Sequence, residues 1–92
     1  MDVFAQAAEK IIHDQEAIIG PLALEQARKV AGLSVDTEKN HVTLEGNKTD
    51  ILNSLVGQYQ GLFGQTSVEV CKDAVRGILS KMPSEQVPAL LR

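Results

Sequence analysis

The sequence has no tryptophan, one tyrosine (Tyr59) and two phenylalanines, so aromatic rings supply little of any core. One cysteine, Cys71, excludes an internal disulfide and suits a reducing compartment. No apolar run approaches the roughly 18 residues of a membrane span. The opening MDVFAQAAEK carries acidic and amide residues where a secretion signal is basic and then apolar. These absences lead us to expect a cytoplasmic protein with no membrane association. Basic clusters are missing too, Arg28–Lys29 being the only adjacent pair, and the net charge is −3. A nucleic-acid surface needs a basic face, so nucleic acid is not an expected partner.

What remains is ordinary globular material of 92 residues, 43% apolar and 23% charged, read as a single domain over 1–92. A chain of this size buries only about 60–65% of its unfolded surface, which makes association a common supplement to its own core.

Periodicity sets out the elements. Val3, Phe4, Ala7, Ala8, Ile11, Ile12, Ile18 and Ile19 form one helical stripe behind a capping Asp2. Gly20-Pro21 ends it and opens a second helix over 21–31, with Gly32 at its C-terminus. From Leu33 the period changes to two. Leu33 and Val35 pair in register with Leu44 and Val42 across a TEKN turn, giving a β-hairpin over about 33–45 with one apolar face. A third helix runs from about Thr49 or Asp50 to Phe63. Thr66-Ser67-Val68-Glu69 reads as a capping box opening a fourth, to about Met82. The tail 83–92 forms a short C-terminal helix. The fold class is therefore α+β and mostly helical: two αα-hairpins separated by a short antiparallel β-hairpin.

The two helical hairpins superpose in sequence at an offset of 44. Ile18-Ile19-Gly20 falls on Leu62-Phe63-Gly64, Ala23-Leu24-Glu25 on Ser67-Val68-Glu69, and Ala27 on Cys71. Apolar core positions meet apolar residues throughout, except Gln15 against Tyr59. This predicts an internal repeat, about 3–31 and 49–82, with glycine at each corner in the αL conformation. The corner IIGPLALEQA loosely resembles that of small helical domains attached to some bacterial signalling kinases. The likeness is confined to a turn that any helical hairpin could use, and it assigns no family.

No catalytic constellation stands out. His13 and His41 are the only histidines, and no CxxC, HxxxH or HExxH spacing occurs, so neither a metal nor another cofactor is expected. Both histidines fall on outward phases. Cys71 falls on the core phase, where a thiol is inert. Glu25 and Glu69 read as first-turn carboxylates that complement helix N-termini. Asn53-Ser54-Leu55 lies inside a helix and does not suit an acyl-carrier attachment site. The chain is not expected to be an enzyme.

One stretch departs from the average. Residues 51–68, ILNSLVGQYQGLFGQTSV, contain no charge, where about four charged residues are expected at the mean frequency. On a helical wheel, Ile51, Leu52, Leu55, Val56, Tyr59, Leu62 and Phe63 cover the core arc. Asn53, Ser54, Gly57, Gln60 and Gly61 fall largely on the outer one. Two glycines inside a helix cost about 0.8–1.0 kcal/mol each against alanine, a cost that close approach of another backbone would offset. The cover could come from the β-hairpin or the tail, from a second copy, or from another partner or a small ligand. The expected function is a non-catalytic protein-interaction or regulatory module that self-associates as a homodimer, or meets a protein partner, through this face. The alternative is a small-ligand sensor with a pocket between the hairpins near Tyr59 and Phe63.

Overall fold

The computed structural model describes residues 2–36, 38 and 41–92. Four α-helices, α1 (Val3–Ile19), α2 (Leu22–Ala27), α3 (Lys48–Phe63) and α4 (Gln65–Leu79), enclose one apolar core. Between α2 and α3 lies an antiparallel pair of strands, β1 (Leu33–Asp36) and β2 (His41–Leu44). The chain ends in two 3-10 turns, Ser84–Gln86 and Ala89–Leu91, instead of the expected α-helical segment.

Helix α1 begins where Asp2 accepts the Phe4 N–H at 2.9 Å, satisfying one of the first-turn donors. Its inner face is Phe4, Ala5, Ala7, Ala8, Ile11, Ile12 and Gln15, and the small alanines let α1 lie close against its neighbours. The strand register is the expected one, Leu33 opposite Leu44 and Val35 opposite Val42. Leu33, Val42 and Leu44 are buried on the face towards α1. The edge of β2 is closed by Glu9, whose carboxylate accepts the Val42 N–H at 3.3 Å. Of the hairpin turn, Thr37, Lys39 and Asn40 lie outside the described residues.

Helix α2 is shorter than the sequence suggests, ending at Ala27 instead of Ala31. Lys29 and Val30 donate to the carbonyls three residues back, tightening the last turn and turning Val30 into the core. Helix α4 begins two residues earlier than a Thr66 cap would place it. Gly64 is its N-cap, so the TSVE capping box does not form, and Glu69 lies beyond the first turn. Instead the Glu69 carboxylate accepts from Gln65 Nε2 at 3.1 Å and pairs with Lys72.

Both helical corners have one geometry. Gly20 (φ 66°, ψ −145°) and Gly64 (φ 72°, ψ −156°) each donate to the carbonyl four residues back, closing the preceding helix. Each then offers its own carbonyl to the N–H three residues on, at 3.1 Å (Ala23) and 3.2 Å (Ser67), opening the next. The conformation is not αL but the extended positive-φ region, which is essentially restricted to glycine.

The two sides of the molecule are locked by a matched pair of buried hydrogen bonds. Gln15 on α1 donates through Nε2 to the Ser67 carbonyl on α4 at 3.2 Å, and Tyr59 on α3 donates through its hydroxyl to the Ala23 carbonyl on α2 at 2.7 Å. Gln15 and Tyr59 are 44 residues apart, and so are Ala23 and Ser67. The one mismatch between the sequence halves is thus a matched function. The correspondence does not extend to helix length, α2 having 6 residues and α4 having 15, so a full repeat is not established.

The N-terminal ends of α1 and α3 are tied by an ion pair between Asp2 and Lys48. The hydrogen bond from Lys48 holds the Asp2 carboxyl below its ordinary value, partial burial opposing and the Phe4 and Ala5 N–H groups assisting. The pair's contribution is therefore present above the unfolded carboxyl's pKa of 3.8 and is lost as pH falls through the lower folded value. Asp2→Asn keeps a capping oxygen and removes the charge. It is expected to cost under about 1 kcal/mol at neutral pH and progressively less as pH falls below the unfolded carboxyl's value, as measured by urea unfolding across that range.

Candidate functional site

The uncharged face of α3 is met first by the chain's own tail. Thr49 donates through Oγ1 to the Gln86 carbonyl at 2.8 Å, and one turn on Asn53 Oδ1 accepts the Leu90 N–H at 2.9 Å. One turn further, a Cβ on Gly57 would meet Leu90 Cδ1 at 3.8 Å. Pro88 and Leu91 are buried beneath this strap. Arg92 folds back on it, donating to the Val87 and Ser84 carbonyls. A charged side chain at 53 or 57 would be desolvated under the tail, so part of the charge gap has an intramolecular cause.

The five residues assigned to the outer face thus divide. Asn53 and Gly57 lie under the tail, Gln60 is half-buried, and Ser54 and Gly61 are exposed, with nothing within 4 Å of a Cβ on Gly61. A larger residue at 57 would press on Leu90, so Gly57→Leu reports on the tail's seat before any contact with a second molecule.

Tyr59 and Phe63 are not brought together. Tyr59 is fully buried with its hydroxyl committed to the Ala23 carbonyl. Leu62 and Phe63, placed on the core arc by the wheel, are exposed. The wheel gives the angle of a residue around its helix but not its position along the axis. The core ends at the Tyr59 layer, and the following turn overhangs it.

At that overhang lies the site. The large apolar side chains most exposed are Ile18 (63%), Leu62 (47%) and Phe63 (45%). They stand at the ends of α1 and α3, beside the two glycine corners. Between them runs a groove of about 310 Å³ lined by Gln15, Ile18, Ile19, Phe63, Thr66, Ser67 and Val70. Its floor is the end of the core, since the buried Gln15 amide and Ser67 carbonyl are bonded to each other. No charged side chain lines it. Sequence reasoning did not pick out Ile18, Ile19 or Val70. The available signal was the doubled apolar pair immediately before each corner glycine.

Among the described residues, the remaining titratable groups are held in structural contacts or stand apart in solvent. A hollow of about 190 Å³ between α1 and the strands brings Glu9, His13 and Glu16 to one rim, but Glu9 already holds the Val42 N–H. Among the described residues no three metal-binding side chains are grouped. Both histidines are exposed. Burial raises the Tyr59 hydroxyl, the charges of Cys71 and Glu16 adding to it. Burial likewise pushes the Cys71 thiol up to about 11, against the hydrogen bond from Gln15 that lowers it. A thiol so placed stays protonated and out of reach of a substrate.

Compared with known proteins, the chain matches no family profile, no curated protein and no solved structure. Among the described residues, no helix is long and apolar enough to cross a membrane.

Two outcomes follow from this geometry. Asn53→Ala leaves the Leu90 N–H without its acceptor; a loss of about 1 kcal/mol and faster amide exchange at Leu90, read by NMR, are expected. Because the unfolded thiol ionises at 9.0 and the folded one near 11, the unfolded chain loses its proton first. Stability should therefore fall as pH rises from about 9 to about 11, with a shallower fall in Cys71→Ala, by chemical denaturation.

Proposed function

We propose that the protein is a non-catalytic protein-interaction or regulatory module of the cytoplasm that docks through the end of the helical bundle where Ile18, Leu62 and Phe63 converge. The observation that carries this reading is their clustering. Scattered exposed apolar residues are normal on any surface, whereas a contiguous patch beside an uncharged groove marks a contact. Covering each of these half-exposed side chains is worth about 1 kcal/mol. Gly61, in the last turn of α3, is the part of the uncharged face that the tail leaves open. Cytoplasmic placement is supported by the single unpaired cysteine.

A second reading is favoured by the groove itself. Its volume and apolar lining suit one small apolar ligand, with the Phe63 ring as a wall. That reading keeps Phe63 from the expected pocket and drops Tyr59.

A photo-crosslinking phenylalanine in place of Phe63, with the same group in place of the exposed Glu25 as control, tests the first reading in producing cells. Protein adducts at position 63 and none at 25 are expected. Absence of any protein adduct at 63, together with a thermal shift from an apolar small molecule, would replace the module reading with the sensor.

A further inference from the structure

We infer that the occupant of the end groove is a second copy of this chain, the two meeting about a two-fold axis so that Phe63 and Ile18 of each cover the groove of the other. This rests on reading the end as an interaction surface and names its partner. Three features of the molecule argue for it.

The first is shape. A two-fold contact joins a patch to itself, so the patch must carry both what protrudes and what receives. This end does, with Ile18 and Phe63 both standing out into solvent and lining the groove beside them. The patch is also built from two like corners, Ile18-Ile19-Gly20 and Leu62-Phe63-Gly64, whose glycines share one backbone conformation. Two such ends can alternate their four corners around the axis.

The second is charge. The chain carries a net charge of −3, so two copies repel over most of their surfaces. The groove lining is neutral and the run 51–68 is uncharged, so two copies meet fewer charges here than elsewhere; of the α1 carboxylates that flank it, Asp14 and Glu16, the first is paired with Lys10 at 3.1 Å. The nearest carboxylate on α4, Glu69, is already paired with Lys72 at 3.4 Å. A basic peptide, a phosphate-bearing ligand or a lipid headgroup would find no counter-charge in the groove.

The third is area. The molecule measures 31 × 29 × 21 Å, and an end face of it spans on the order of 600 Å², about what each partner gives up in the smallest stable interfaces. With only three large apolar side chains at its centre, the contact belongs to the weak class. A dissociation constant on the order of 0.1–1 mM is expected.

Sedimentation velocity of the full chain from about 20 μM to about 2 mM tests this. The expected result is a mass rising towards twice that of one chain, and at least a tenfold weaker association in both Phe63→Ser and Ile18→Ser. Unchanged helical circular dichroism and melting within a few degrees of the parent would show that both variants still fold. Glu25→Gln should associate as the parent does. Mixing isotope-labelled chain with chain spin-labelled at position 66 should broaden the amides of Ile18, Ile19 and Val70 in the labelled copy. A single-chain mass at 2 mM overturns the inference, and so does a dimer indifferent to both serine substitutions. If the chain is monomeric yet crosslinks at position 63 to a different protein, the second copy is excluded while the interaction reading stands. If it is monomeric and gives no protein adduct, both fall.

Discussion

Gln15 and Tyr59 bring polar atoms into a core that has few rings and, among the described residues, only Gln26 and Ser67 as further buried polar side chains. A buried amide or hydroxyl without a partner costs roughly 1–3 kcal/mol, so the helices can close only where both find one. Each finds it on the opposite hairpin, Gln15 at the Ser67 carbonyl and Tyr59 at the Ala23 carbonyl. These bonds fix how far α1 slides along α4 and α3 along α2. They also fix the layer at which the core stops. The rest of the molecule is arranged around that layer, the strands and tail on one side and the open end on the other.

The corner glycines decide what happens beyond it. A helix that reverses through a glycine in the positive-φ extended region needs no long loop: Gly64 alone separates α3 from α4, and Gly20-Pro21 separates α1 from α2. A loop of several residues could fold back over the last helical turn and cover its side chains. Here the turn that follows the Tyr59 layer ends at once, and among the described residues no segment covers Ile18, Leu62 and Phe63, which stay exposed. Their exposure therefore follows from the same backbone device that makes the hairpins tight, and the device could be kept with polar residues at those positions. Serine or glutamine there would cost the fold little, because these side chains contribute little to the core. Apolar residues at all three places are better explained by contact than by stability.

Much of the architecture was legible because it is periodic. The α1 stripe, the two-residue alternation of Leu33, Val35, Val42 and Leu44, and the glycines before each second helix all act locally, and the strand register followed from them without adjustment. What the sequence hid acts over long separations or along helix axes. The Thr49–Gln86 and Asn53–Leu90 bonds each span 37 residues, and nothing near Asn53 announces that Leu90 will need its oxygen. The TSVE capping signal failed because Gly64 supplied the carbonyl first. Leu62 and Phe63 were assigned to the core because a wheel cannot tell where a core ends. Gln15 against Tyr59 looked like a break in the pattern, and only the carbonyls they reach show it to be a match.

The absence of charge from 51 to 68 joins these points. One cause cannot account for it, since the tail reaches only to Gly57 and the groove begins near Phe63. Under the tail, a charge would be desolvated against Pro88 and Leu91. At the open end a charge would cost the folded chain nothing in itself, because water reaches Gly61, Leu62 and Phe63 freely. A run selected only for folding would therefore regain charge after Gly57, as the outer face of α1 does with Lys10, Asp14 and Glu16. It does not regain it. The neutrality that persists past the tail has no cause in the fold, and it fits the proposed contact with a second, equally acidic copy by removing like-charge repulsion there.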